Sequence, residues 1–467
     1  MNLLLLLVGI ALPSLSGWLL VRLCEGNHPV LLRLERWAIG FLLGITATMF
    51  VTFLAHIAGL ILFTRWGFLS VQIAMTTLLT LARFFQWKLS PRTTAPSAAK
   101  SPTANRWLIL LLVLLTLWTL AKIAFGSFIL VSMPSYFDDT LKNWNYRAKI
   151  FAFTQTLDID TSANGEADVL SSYPPTVPLF KASLAALKGG WDEGLVNSVH
   201  ILWLLAALAL LYGALRHRIG WQWSLLGTYL LASLPLYFFD GLNAYADVFL
   251  SGHLLAAGAL LTHGLTEHDA SRRQSWLRLF GLTVGLLVFT KNEALVLYLP
   301  LLLAVFGGGL IFLRHQGRMT LGAARTVTVW TIGWLLVIGV PWVAFKWAHG
   351  LSFGNAKAIT SSYSFGWQPG VPYVLWVNTF FEGNWHLLFP LLLLLLVVAR
   401  KHLLRSAITP LVLIVLAALG LQIALFLFTS LSTEALKQTG LARGFVQLAP
   451  LVVMLVTFLA RDVVKGR

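Results

Sequence analysis

Stretches of about 20 mostly apolar residues recur from one end of this 467-residue chain to the other. A run of that length crosses the ~30 Å hydrocarbon layer as a helix, the form that pairs every backbone N–H and C=O internally. Hydrophobic residues reach 58% and charged ones only 11%, against roughly a quarter charged in soluble domains. The pattern predicts an all-α polytopic membrane protein with about 13 transmembrane helices. The runs lie near residues 3–21, 37–62, 66–86, 107–131, 195–215, 221–239, 246–263, 278–290, 294–313, 326–346, 386–399, 407–430 and 445–460. The run at 278–290, about 13 residues, is too short to cross upright. It is expected to thin the bilayer or to end inside a cavity, with Lys291-Asn292-Glu293 at that end. The first run resembles a secretory leader but lacks a basic n-region. Ser14, Ser16 and Gly17 permit cleavage, and a retained first span is the expectation.

The formal charge of +16 could point to nucleic acid, but its distribution does not. With loops placed alternately on two sides, one side carries 22 Lys and Arg against 5 acids, the other 12 against 13. The positive-inside rule makes the first side cytoplasmic, with the N-terminus outside and the C-terminus in the cytoplasm. The basic excess then sets topology, and no nucleic-acid partner is expected. Cys24 is the single cysteine, which excludes an intrachain disulfide and a cysteine metal site.

Residues 87–105, rich in Ser, Thr, Ala and Pro, read as a cytoplasmic linker. It divides an N-terminal three-helix membrane unit (1–86) from a catalytic transmembrane domain (106–467). In the latter, residues 132–191 form a first large outer loop with short interfacial helices, and 347–385 a second. The second carries Trp347, Tyr363, Trp367, Tyr373, Trp376 and Trp385. These read as an interfacial aromatic belt, or as a lid that stacks on a sugar or packs on a lipid chain.

The first outer loop concentrates unlike groups. It opens Tyr136-Phe137-Asp138-Asp139 and continues through Lys142, Trp144, Arg147 and Lys149 to Asp158, Asp160 and Tyr173-Pro174-Pro175. Two neighbouring carboxylates in a partly desolvated cleft cannot cheaply both ionise, so one is expected to have a raised pKa and to serve as a general base. The plain alternative is a pair of solvated loop acids, or a helix cap. Further ionisable groups fall on the same side: Asp247, Lys291 and Glu293, and Arg443 before the last run. Each could be a snorkelling end residue; together they suggest a polar cavity at one membrane boundary.

Aromatic-x-Asp at the start of the first outer loop, a Trp five residues later and an Arg-Ala-Lys just after resemble the GT-C membrane glycosyltransferases. The likeness is to the branch of the dolichyl-phosphate-mannose:protein mannosyltransferases and aminoarabinose transferases, and to their bacterial relatives. Here these positions are Asp139, Trp144, Arg147, Ala148 and Lys149. The Tyr173-Pro174-Pro175 run with Pro178, Tyr245-Ala246-Asp247, Lys291-Asn292-Glu293 and Arg443 follow in that family's order. The resemblance covers roughly residues 107–467. It departs in having three runs before the loop where the family commonly has one, and no aromatic directly after Arg443.

The resemblance implies a polyprenyl-phosphate-linked sugar donor, in bacteria undecaprenyl phosphate, and a glycan, lipid or protein acceptor at the periplasmic face of the inner membrane. Lys142, Arg147, Lys149, Lys291 and Arg443 are the candidate donor-phosphate ligands. Asp139 is the candidate base of an inverting single displacement, with Asp138 in reserve. Trp144, Tyr173, Asp247 and Glu293 are candidates for acceptor or sugar contact, or for support. No cofactor is assigned. A divalent ion on Asp138, Asp139, Asp247 and Glu293 is conceivable but not favoured, because the cations suffice to neutralise one phosphate.

Two other classes compete. A lipid-linked-saccharide ligase of the O-antigen type would use a loop histidine, and none lies between Lys142 and Trp191. A transporter or flippase would carry charges near mid-bilayer and paired repeats, whereas these charges gather at one boundary.

Overall fold

The computed structural model describes residues 2–88, 105–159, 171–351, 366–401, 403–404, 407–437 and 440–466. The linker proposed at 87–105 lies almost wholly outside these residues, as do Asp160 and Tyr363. Helices α1 (Asn2–Glu25), α2 (Arg33–Ile57), α3 (Arg65–Lys88) and α4 (Arg106–Ser132) come first. A π-helical turn (Thr140–Trp144) leads into α5 (Asn145–Thr154), and α6 (Thr176–Lys188) follows. Then come α7 (Glu193–Arg216), α8 (Trp221–Ser233), α9 (Pro235–Gly241), α10 (Asp247–Thr266), α11 (Ala270–Leu287) and α12 (Ala294–His315). The chain ends with α13 (Leu321–Ala348), α14 (Val371–Phe380), α15 (Leu388–Val398), α16 (Thr409–Phe428), α17 (Ser432–Leu436) and α18 (Leu441–Val464). This is a polytopic all-helical membrane fold, and all thirteen apolar runs are helical.

Among the described residues, ten helices are long and apolar enough to cross a bilayer. The other three runs became α8 with α9, α11, and the 11-residue α15. The run at 278–290 is not a 13-residue helix. Asp269 caps a helix that already begins at Ala270 and spans 18 residues, about 27 Å at 1.5 Å per residue. Its first turns hold Arg272, Arg273 and Gln274, so the apolar count missed them. Its far end does deliver Lys291 into a buried setting, 1% exposed.

Helix α10 is the hub. Its apolar stretch is wholly buried, against 11% for α4, which flanks the bundle. Lipid offers no hydrophobic gain for helix association, so close approach through small residues must supply it. A Cβ on Gly258 would collide with Leu451 of α18, and one on Gly17 of α1 would strike the backbone of Gly40 in α2. Helices α1–α3 pack against α6, α7, α10 and α11, with Thr46 bonded to His253 (2.9 Å) and Glu35 to His217 (2.7 Å).

On the basic side Ser275 bonds the Glu25 carbonyl, and Arg218 the carbonyl of Ala407. At the opposite end Arg443 meets Asp139 and Asp247.

Candidate active site

Asp247 is the first residue of α10, where a helix N-terminus favours negative charge. Its side chain is fully buried. Oδ1 accepts from Lys291 Nζ (2.8 Å) and Gln447 Nε2 (2.7 Å); Oδ2 accepts from Arg443 Nε (3.0 Å) and Nη2 (2.9 Å). The third guanidinium nitrogen, Nη1, reaches Asp139 Oδ2 at 2.5 Å. One planar fork thus bridges two carboxylates. Lys291 also pairs with Glu293 (3.2 Å). Burial works against the Lys291 charge, but Asp247 and then Glu293 outweigh it and hold its pKa above the ordinary lysine value.

Local structure explains this convergence. Both Asp139 and Glu293 immediately precede a π-helical turn, Thr140–Trp144 and Ala294–Tyr298 respectively. Such turns shift the following side chains off the α-helical register and are frequent at functional sites. The Lys291 ammonium lies 5.8 Å from the Trp144 ring centre and 5.9 Å from that of Tyr173. Trp144 is 1% exposed, so it forms a wall beneath the lysine. Tyr173 packs edge-on to it at 5.8 Å, and burial, then Glu293, pushes the Tyr173 phenol well above its usual range.

The remaining expected residues sit elsewhere. Asp138 and Asp139 do not face each other: Asp138 pairs at the surface with Lys142 (2.9 Å), while Asp139 turns to Arg443. Lys149 lies near Glu193 (3.7 Å) and over Trp191. Arg147 is buried and donates from Nη2 to the Tyr173 carbonyl (3.1 Å). Next to it, Lys346 donates to the Ser172 carbonyl (2.5 Å) and to Asn292 Oδ1 (3.1 Å). These two cations hold the Ser172–Tyr173 backbone behind the ion-pair network. Among the described residues, no three His, Cys, Asp or Glu side chains converge as a metal site requires.

Sequence reasoning missed a second tier. Gln447, one turn after Arg443, fixes Asp247 and accepts from Tyr298 Oη (2.9 Å). Gln422 on α16 in turn donates to Tyr298 (2.5 Å) and to the Gly444 carbonyl (3.0 Å). The spacing of Arg443 and Gln447 was a usable signal, since residues four apart share a helix face. Asp240, at the end of α9, is also buried near this network.

An apolar cavity of about 510 Å³ lies between α14, α15, α16 and the start of α18. Trp367, Trp376, Leu393, Ile423, Leu427 and Phe445 are among its walls. Phe445 stands two residues from Arg443. Of the second-loop aromatics, Trp367 and Trp376 line this cavity. Trp347 and Tyr373 are exposed, and Trp385 is buried against Phe389 and Phe445.

The order of helices in this membrane bundle has a counterpart among solved structures. The chain is similar to ArnT from Cupriavidus metallidurans bound to undecaprenyl phosphate, with a TM-score of 0.51 and 16% identity. The match covers 77% of this chain and 61% of that one, so this chain spans about three fifths of the length of ArnT. The apo state of the same protein aligns over 74% of this chain at 17% identity and a TM-score of 0.49. No protein-family model matches the sequence, and no curated protein does.

Proposed function

We propose that the protein is a membrane glycosyltransferase that moves a sugar from a polyprenyl-phosphate donor to an acceptor hydroxyl at the membrane face bearing Asp139. The observation that carries this reading is the unbroken chain of ion pairs Asp139–Arg443–Asp247–Lys291, with an apolar cavity lined by Phe445 of the same helix, α18. A polyprenyl phosphate needs both surfaces at once: a dry groove for the tail and cations for the headgroup. The likeness in fold to ArnT, which was solved with undecaprenyl phosphate, supports the same donor class.

The geometry suggests an order of events. Donor phosphate takes the place of the Asp139 carboxylate on Arg443 Nη1 while Nε and Nη2 stay on Asp247. Asp139, now released, accepts the proton of the acceptor hydroxyl. The acceptor oxygen forms a bond to the anomeric carbon as the bond from that carbon to the phosphate oxygen breaks, inverting the centre. Lys291 and Arg443 stabilise the charge growing on the leaving polyprenyl phosphate. Asp247, with both oxygens saturated, orients the two cations and does not serve as base.

By the charge count, the Asp139 face is the periplasmic one, which makes the protein a bacterial inner-membrane enzyme with its C-terminus in the cytoplasm. The test is mass analysis of cell-envelope glycans from a deletion strain complemented with wild type or Asp139→Asn. A glycan lost on deletion, restored by wild type and not by the variant supports the reading. Full restoration by both Asp139→Asn and Asp138→Asn removes the base assignment.

A further inference from the structure

We propose that Asp240 is a further residue of the donor site, whose buried carboxyl group hydrogen-bonds a hydroxyl of the transferred sugar. The inference rests on the glycosyltransferase reading above and deepens it by assigning a sugar contact. Pro235 breaks the run at 221–239 and starts the short helix α9, which carries Asp240 one residue beyond that run. The helix is held in place from several sides. Its Leu236 N–H bonds the Asn384 carbonyl, Phe239 packs edge-on to Phe137 at 5.0 Å, and Gly241 sits tight against Leu204 of α7. Phe137 lies two residues before Asp139, so α9 forms the wall next to the proposed base.

Asp240 is 4% exposed, and its Oδ2 has no hydrogen-bond partner among the described residues. A buried polar atom left unpaired is costly, and a purely structural position would be better served by an apolar side chain. The neighbouring acids are committed: Asp247 accepts on both oxygens, and Asp139 is paired with Arg443. Asp240 retains hydrogen-bonding capacity within the same cluster. The charged and titratable groups facing it are Asp247 of α10, Arg443 of α18, Lys291 after α11, and Asp139 with Tyr245 in the loops; the buried His200 of α7 stands behind Tyr245. Burial, and then Asp247, pushes the Asp240 carboxyl up to about 8, against the pull of Arg443 and Lys291. In its protonated form it can both donate to and accept from the O–H of a sugar, as no carboxylate can. A bound phosphate, being negative, helps it keep its proton.

The experiment measures binding of undecaprenyl phosphate and of an undecaprenyl-phosphate monosaccharide to the full chain, with transfer activity followed from pH 6 to 9.5. Asp240→Leu should bind the bare carrier like wild type and the sugar-bearing one about tenfold more weakly. Asp240→Asn should be a few-fold slower at pH 7 but hold its rate where wild type falls above about pH 8. Equal weakening for both carriers, or the same alkaline fall in Asp240→Asn and wild type, overturns the assignment. If Asp240→Leu does not fold, the pH profile of Asp240→Asn decides alone. Transfer by wild type with an unaffected Asp240→Asn profile sinks only this inference, whereas no transfer or carrier binding by wild type sinks it together with the glycosyltransferase reading.

Discussion

Two buried carboxylates, at opposite ends of the bundle, look alike until their partners are compared. Glu25, at the end of α1, accepts from Arg36 Nε (2.8 Å) and Nη2 (3.1 Å), from Arg22 (3.2 Å) and from the N–H groups of Val30 and Leu31 (2.9 Å each). Every donor lies within 11 residues of it. Asp247 is equally saturated, but its donors lie 44, 196 and 200 residues away, on two other parts of the chain. The cations on Asp247 go on to hold further acids, Asp139 and Glu293, whereas those on Glu25 close on themselves and nearby backbone. A local clasp needs only to hold a turn. A centre assembled from four distant segments, with partly exposed Asp139 and Arg443 at its mouth, can exchange a partner for a ligand.

If that contrast is right, the largest loss of activity comes from Asp139. Asp139→Asn keeps the shape, removes the base and should lower the transfer rate about 10³-fold, with the thermal transition unchanged. Asp138→Asn, on the surface pair with Lys142, should change it less than about twofold. Equal losses in the two would erase the distinction between them.

Arg443 comes next. Arg443→Lys should lose about 10²-fold in kcat/KM, because one ammonium cannot bridge Asp139 and Asp247 as the fork does. A lysine variant at wild-type rate would show that charge alone suffices. Lys291→Ala should raise the donor KM about tenfold, the weight of a charge-assisted hydrogen bond. An unchanged donor KM would remove Lys291 from the phosphate site.

The parts of this site that could be read in the sequence are those that are expensive in a membrane. Asp247, Lys291 and Arg443 stood out because ionisable groups at the ends of apolar runs are rare, and Asp139 because it neighbours another acid. Gln447, Tyr298 and Gln422 did not, since neutral polar residues scattered in apolar runs carry little signal before their partners are known. Adjacency misled for the cations of α5. Residues two apart on a helix point to opposite sides, so Arg147 turned inward to the Tyr173 carbonyl while Lys149 turned to Glu193. Consecutive helix residues do not face each other either, which separated Asp138 from Asp139. For the fold, apolar length located the thirteen long runs but not the shorter α6 or α14, and it missed where α11 starts, because a helix may begin in charged residues when a side chain such as Asp269 caps it.

The smallest effect on activity is expected at the clasp, and it tests the comparison from the other side. Glu25→Gln leaves Arg36 and Arg22 without their anion in a buried setting, and losing one partner of such a pair costs about 3–5 kcal/mol. The thermal transition should therefore fall clearly. The donor KM of the folded fraction should stay at the wild-type value, because the clasp lies at the far end of α1 and α2 from Asp139 and shares no partner with it. Arg36→Ala should behave the same way, since both changes open one local turn. A donor KM that rises with either variant would mean that the two ends are coupled through α10 or α11, and that Glu25 is more than a fastening. A thermal transition that does not move would mean that backbone N–H groups alone hold the turn, leaving the arginines to decorate it.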